Sequence, residues 1–268
     1  MEVFFVLVVA VLEGELIDVI IRTKNSEEFL KECLQSIYNE IPVRRIIIVD
    51  AGSTDKTLEI ASSFDKACIY IKPELNLGQA TKFGFSKAET EWVAIIDSDI
   101  ILGRGWFDDM KRYMSQWDAI EGCRIDHYRF DTQIDCTKSV HGRFGQTLLK
   151  REPVLSMDLD LPFGEDAAIS FNFEKRNMKW KKVKNYLVDH YPKIEGTRQT
   201  RTGIVFKPDP HIIHIPKNVQ LEQGRIARRY NMITKKQAIS MLILPPIYEA
   251  YWAFKKSLWF CLAYFRII

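Results

Sequence analysis

The chain lacks the phosphate-binding loops that most readily betray a nucleotide site. No Gly-x-Gly-x-x-Gly follows its first apolar segment, and no Gly-rich loop ends in Lys-Ser or Lys-Thr. A dinucleotide site of the usual kind and a Walker-type loop are therefore both unsupported. Charge of one sign is also missing: the net charge is +3 with 27% charged residues, which argues against a dedicated nucleic-acid binder. The basic residues that do cluster, in Lys175–Lys184 and Arg225–Lys236, suit solvated faces as well as contacts to phosphate or an anionic membrane. The 5 cysteines, at positions 33, 68, 123, 136 and 261, form no short paired spacing of the zinc or redox type. An odd number cannot close fully into intrachain disulfides, and a reducing cytoplasm is the expected setting. Long apolar runs are absent too. Ser257–Phe265 falls short of the roughly 20 residues a membrane helix takes, and Pro245-Pro246 breaks the other candidate. Val3–Leu12 is apolar but has no basic leader and no cleavage pattern beyond Ala10, so it reads as an extra strand or a packed arm, not a signal peptide.

What the chain does have is enough apolar material for a core, 47% hydrophobic over 268 residues, arranged in two alternating periods. Ile17–Ile21 reads as a strand. Asn25 is placed to cap a helix, with Glu28 reaching back as in a capping box, and Phe29, Leu30, Cys33, Leu34 and Ile37 form its apolar stripe. Ile46–Val49 is a second strand, Ser53 or Thr54 caps a helix carrying Leu58, Ile60, Ala61 and Phe64, and Ala67–Ile71 is a third strand. Gly78–Ala88 follows as a helix interrupted by Gly84, then Trp92–Ile96 as a fourth strand. This alternation implies an α/β fold with parallel pairing, right-handed crossovers and ligands at the carboxyl ends of the strands.

Polar residues collect at those ends: Arg22-Thr-Lys-Asn25, Asp50-Ala-Gly-Ser-Thr-Asp55 and Asp97-Ser-Asp99. A nucleotide site without a glycine cradle needs another hold on diphosphate. Asp97 and Asp99 supply one if they share Mg²⁺ or Mn²⁺, hard cations that also take phosphate oxygens. The plainer alternative is that these aspartates cap a strand-end turn. Glu165 and Asp166 likewise suit a helix N-terminus, since Ala167–Lys175 looks helical, and the same position would hold a catalytic base rigidly.

Taken together, Val19–Asn25, Ile48–Asp55, Asn76-Leu-Gly-Gln79, Ala94–Ile100 and Gly164-Glu-Asp166 resemble the family 2 glycosyltransferases of the GT-A fold, over about the first two thirds of the chain. The resemblance implies a Rossmann-like, mostly parallel central sheet flanked by helices, forming a catalytic domain over residues 1–236 with a C-terminal helical appendage over 237–268. It also implies a nucleotide-diphosphate-sugar donor held by Thr23, Asn25, Asp50, Gly52, Ser53, Asn76, Gln79, Asp97 and Ser98. Asp50 is expected near the base or ribose and Asp97 at the ribose. The metal is expected on Asp99, with Asp97 and His190 in its shell. Asp166 is the implied base of an inverting displacement, and the acceptor is a glycan or lipid-linked hydroxyl or phosphate. Two departures stand out: Ala51 where relatives often carry a second aspartate, and Arg22-Thr-Lys in place of the commoner Pro-Thr-Tyr.

Chemistry independent of the resemblance points the same way, because a cation neutralises charge on a departing diphosphate and a carboxylate base activates an acceptor hydroxyl. Retention would need a second carboxylate as nucleophile, for which Glu165 is the candidate. His211 and His214 compete with His190 as metal ligands, while His127 and His141 are assigned nothing. Residues 120–161 show no sustained period, and the resemblance implies that this stretch shapes the acceptor pocket. Trp106 either stacks on a sugar or packs in the interior, and Arg225, Arg228 and Arg229 either reach the diphosphate or form a solvated face. The tail combines Trp252, Trp259 and other aromatics with Lys255, Lys256 and Arg266, which suits an interfacial helix pair on the cytoplasmic face of a membrane or a helix packed against protein. Rival functions are a sugar nucleotidyltransferase and a non-catalytic sugar-nucleotide or glycan-binding protein of the same fold.

Overall fold

A computed structural model describes residues 16–128, 131–135, 144–184 and 188–191. The chain divides into two compact units, residues 1–192 and 193–268, and all the described residues belong to the first. The expected boundary at 236/237, the N-terminal arm, the aromatic tail, His141, His211, His214 and the Arg225–Tyr230 segment lie outside the described residues.

The first half alternates strand and helix as the two periods predict: β1 (Ile17–Thr23), α1 (Leu30–Glu40), β2 (Val43–Asp50), α2 (Thr57–Ser62), β3 (Ala67–Ile71), α3 (Leu77–Lys87) and β4 (Trp92–Asp97). The four strands are parallel and lie in the order β3-β2-β1-β4. The central three are near-continuous Val/Ile runs because helices cover both faces, and Val19, Ile21, Ile46, Ile48, Ala94 and Ile96 form one packed face with Leu30, Leu34 and Ile37 of α1. Registry Thr23↔Asp50 and Arg22↔Asp97 brings the three carboxyl ends level, so their polar residues share one edge.

The second half consists of β5 (Ile100–Leu102), α4 (Trp106–Lys111), β6 (Ala119–Glu121), β7 (Arg124–Tyr128), β8 (Asp131–Asp135), β9 (Gln146–Lys150), α5 (Arg151–Leu155), α6 (Glu165–Lys175), β10 (Trp180–Lys182) and β11 (Val188–His190). Beyond β4, β9 and β6 pair antiparallel and β10 adds a parallel edge, giving a seven-stranded sheet in the order β10-β6-β9-β4-β1-β2-β3. A second sheet runs β5-β11-β7-β8. Among the described residues of the stretch without a readable period, the strands are three to five residues long, too short for an alternation to show.

Several local expectations fail for identifiable reasons. Asn25 does not cap α1, which starts after Phe29 with no side-chain cap. Asn25 instead adopts φ 49° and its Oδ1 accepts the Thr54 amide at 2.9 Å, tying two loops together. Neither Ser53 nor Thr54 caps α2; Asp55 accepts the Thr57 amide at 3.0 Å. Trp106 is fully buried with its indole N–H donated to Gln146 at 3.3 Å, so it packs in the interior and does not stack on a ligand. Cys33 and Cys68 are free thiols.

Gly84, which lowers the helix propensity of α3, is explained by packing. A Cβ there would lie 2.6 Å from Ile20 Cγ2, and Ile20 is fully buried and stiff at χ1, so α3 lies against β1 only because this position is bare. Gly84→Ala is expected to destabilise by about 1–3 kcal/mol through overpacking, outweighing the gain of about 1 kcal/mol in helix propensity. A lower urea midpoint at unchanged slope is the expected reading.

Candidate active site

The loop after β2 is built around a carboxylate. Asp50 is fully buried, and its Oδ1 accepts the amides of Gly52 at 2.9 Å and Ser53 at 2.8 Å. Its Oδ2 accepts the hydroxyls of Thr23 at 2.8 Å and Ser53. Those four donors satisfy the carboxylate, so Asp50 shapes this loop. Gly52 permits the turn with φ 78°.

One strand further along the edge the arrangement opens. A cavity of about 360 Å³ is lined by Arg22, Leu77, Asp97, Arg124, Phe144, Gly164, Glu165 and Asp166. Arg22 joins two of its acids. Its Nη2 donates to Asp97 Oδ1 at 2.8 Å, and its Nη1 to Glu165 and, at 3.1 Å, to Thr81 Oγ1. Burial alone would depress this guanidinium, but Glu165 and Asp97 together outweigh it and hold its pKa above the ordinary value. Asp97 has room because Gly145 lies alongside with φ 112°; a Cβ there would come within 2.8 Å of Asp97 Oδ2. Asp166, in the first turn of α6, hydrogen-bonds the next amide at 2.7 Å. Burial, reinforced by the neighbouring Glu165, pushes its carboxyl above the usual range.

The second sheet supplies the other side. His190 Nδ1 lies 2.7 Å from Asp126 Oδ1, and Arg124 Nε lies 2.9 Å from the same oxygen. A carboxylate only accepts, so a neutral His190 carries its hydrogen on Nδ1 and presents the lone pair of Nε2 toward Asp99, 3.6 Å away. Backbone pairing reinforces this placement, since the Tyr191 amide donates to the Asp99 carbonyl at 2.9 Å. Tyr191 is stacked between Phe29 and His127, with centroids 4.7 Å and 4.8 Å away. Among the described residues no group of three or more His, Cys, Asp or Glu is gathered in a metal-holding cluster. Asp99 and His190 nevertheless suit a divalent cation whose remaining ligands are ligand oxygens and water, because Asp126 fixes the imidazole as an outer carboxylate does in metal sites.

The family profile that matches is glycosyl transferase family 2, over residues 18–174, more than half of the chain. The chain belongs to this family. Among curated relatives, the glycosyltransferase GlyG of Streptococcus pneumoniae serotype 4 is 32% identical over 112 residues, which are 40% of this chain and 37% of GlyG. The poly-beta-1,6-N-acetyl-D-glucosamine synthase of Staphylococcus epidermidis is 33% identical over 95 residues, 34% of this chain and 22% of the synthase. The match thus spans well under half of each relative. Among solved structures, S. aureus TarS 1-349 in complex with UDP-GlcNAc superposes with a TM-score of 0.59 at 14% identity, covering 93% of this chain and 81% of that one. Glucosyl-3-phosphoglycerate synthase from Mycobacterium tuberculosis, with Mn²⁺, UDP and phosphoglyceric acid, gives a TM-score of 0.54 at 17% identity, covering 76% and 83%. These superpositions establish the GT-A fold.

Of the family 2 motif residues, Asp97 and Asp166 share the cavity, and Asp99 and His190 face each other. Thr23, Asp50, Gly52 and Ser53 form the loop beside β1, tied to Asn25, whose amide donates to Ser53 Oγ at 2.8 Å. Ser98 donates to Ser26 at 2.9 Å. Asn76 and Gln79 form the capping box of α3, and Asn76 also donates to Asp160 at 2.7 Å, so neither lines the cavity. Glu165 is occupied by Arg22 and does not stand as a free second nucleophile. Arg22, Arg124 and Asp126 are site residues that sequence reasoning did not assign; the signal for Arg22 was an arginine at a strand end otherwise collecting acids. Replacing Asp50 by Asn leaves an amide group facing donors and is expected to cost about 1–3 kcal/mol. Urea denaturation of Asp50→Asn beside wild type measures it.

Proposed function

We propose that the chain is a metal-dependent, inverting glycosyltransferase that moves a sugar from a nucleotide-diphosphate donor to a hydroxyl or phosphate acceptor, a glycan or a lipid-linked one. The observation that carries this reading is the shared cavity of Asp97 and Asp166, a strand-end acid on the donor side and a helix-borne carboxylate on the other. Asp166 accepts the acceptor's proton as that oxygen attacks the anomeric carbon, and its raised pKa makes it a better base than an exposed aspartate. A single carboxylate of this kind suits one displacement with inversion; Glu165, held by Arg22, supplies no second nucleophile. Mg²⁺ or Mn²⁺ held by Asp99 and His190, with Asp97 beside them, would neutralise the charge left on the departing diphosphate. Thr23, Asn25, Gly52, Ser53 and Ser98 border the donor on the β1–β2 side, with Asp50 acting through the loop it organises and Asn76 and Gln79 through the start of α3.

Complexes of both structural neighbours with uridine nucleotides favour a UDP-sugar donor. Among the described residues no helix is long and apolar enough to cross a membrane. The aromatic and lysine content of residues 248–268 favours contact with a membrane surface. The nucleotidyltransferase alternative lacks a glycine-bearing loop after β1 and predicts release of pyrophosphate, whereas sugar transfer releases nucleoside diphosphate.

Turnover of a UDP-, GDP- or dTDP-sugar chosen by Mn²⁺-dependent thermal stabilisation tests the reading. Asp166→Asn is expected to lower kcat by ~10²–10⁴-fold while donor binding persists. In the wild type, kcat/KM should fall on the acid side with a midpoint above the ordinary carboxylate range, because protonated Asp166 accepts no proton and burial raises the pH at which it protonates. An acid limb unchanged in Asp166→Asn would assign the base elsewhere.

A further inference from the structure

We propose that Arg22 is a positioning residue that fixes the distance between the donor-side acid Asp97 and the helix carrying Asp166. The inference rests on the transferase reading and adds a part to it. Arg22 and Asp97 are paired in register on adjacent strands, so their side chains leave the sheet side by side. From there one planar guanidinium reaches three elements: Asp97 at the end of β4, Thr81 inside α3 and Glu165 in the first turn of α6. The Arg22 and Glu165 side chains are 11% and 5% exposed, so this fork is shielded from competing water.

The far end of the fork matters because Glu165 is the residue before Asp166. α6 begins at Gly164, a left-handed residue with no side-chain cap, so the Arg22–Glu165 pair is a side-chain tie on the turn that presents the base. Phe144 packs beside the guanidinium, its ring centre 5.9 Å from Cζ, and limits sideways movement. Arg22 also stands among Asp97, Glu165 and Asp166, three acids lining one cavity. Lysine in its place would keep the charge and lose the fork, since an ammonium is a point charge on a flexible stem. The donor-side acid and the base would then be held independently.

Three variants, Arg22→Lys, Glu165→Gln and the double replacement, test this beside wild type. Three quantities are read: nucleoside diphosphate released from UDP-, GDP- and dTDP-sugars with water as acceptor, calorimetric Kd for UDP with Mn²⁺, and melting temperature. Glu165→Gln is expected to lower kcat ~10–100-fold, the scale of a base misplaced by about 1 Å, with UDP affinity near that of wild type. Arg22→Lys should lower kcat similarly and also weaken UDP, because it frees both ends of the fork. The double variant should be no slower than Arg22→Lys, since both replacements break one linkage. Lower melting temperatures with wild-type kcat and Kd well below the transition would overturn the proposal, as would losses that multiply in the double variant. Should Arg22→Lys fail to fold, Glu165→Gln decides alone: slowed release at unchanged Kd supports the strut, and wild-type release removes it. Wild-type protein that neither binds UDP with Mn²⁺ nor releases nucleoside diphosphate from any of these donors fails the transferase reading itself.

Discussion

Bringing the carboxyl ends of β1, β2 and β4 level concentrates acids along one sheet edge, and α6 adds Glu165 and Asp166 from the other side. Carboxylates this close in a partly buried cavity repel one another and lose hydration, and both effects oppose the arrangement. Arg22 is the group that makes it tenable, a single cation bonded to Asp97 and Glu165 at once. Such buried pairs add little net stability, because desolvating the charges offsets their attraction, yet removing one partner is costly because the other is stranded. The pairing is therefore better understood as fixing where the acids stand than as holding the fold together. The large β1–β2–β4 core of Val and Ile side chains does the latter.

Two aspartates at corresponding strand ends show how surroundings decide role. Asp50 and Asp97 both terminate an apolar parallel strand. Asp50 is fully buried and saturated by backbone and hydroxyl donors from its own loop and from Thr23, so its charge is spent on local architecture. Asp97 keeps 32% of its side chain exposed, shares only one oxygen with Arg22 and opens onto the cavity. The difference originates in the neighbours. After Asp50 come Gly52 and Ser53, whose amides curl back onto the carboxylate; beside Asp97 lies the bare backbone of Gly145, which leaves its second oxygen clear.

Sequence periodicity conveyed the parallel half of the fold well, since each strand there is a dense run of β-branched residues and each helix carries an apolar stripe. The third strand came out at Ala67–Ile71, as read. Capping was misjudged where a polar residue had a distant partner to choose: Asn25 meets Thr54, 29 positions away, a pairing that no local pattern reveals. Gly84 looked like a weakness in a helix because its justification, Ile20, lies on another element. The second half was illegible because strands of three residues carry no measurable period. Arg22 was noticed as a departure from the family pattern, but its function depends on Glu165, 143 positions on, and only the fold joins them.

His190 illustrates the same limit from the other direction. The family resemblance implied a ligand at this position, yet resemblance says nothing about which nitrogen faces inward. That is settled by β11 lying parallel to β7 in the register His190↔Asp126, which sets an acid beside Nδ1 and turns Nε2 toward Asp99. Arg124, two residues before Asp126, binds the same acid and also lines the cavity, so the second sheet reaches the acids of the first through one short chain of contacts. The two sheets contribute different groups. The larger one presents carboxylates and the cation that spaces them; the smaller one presents an imidazole held in a defined orientation. The carboxylate that orients the imidazole is thus shared between His190 of one short strand and Arg124 of the next.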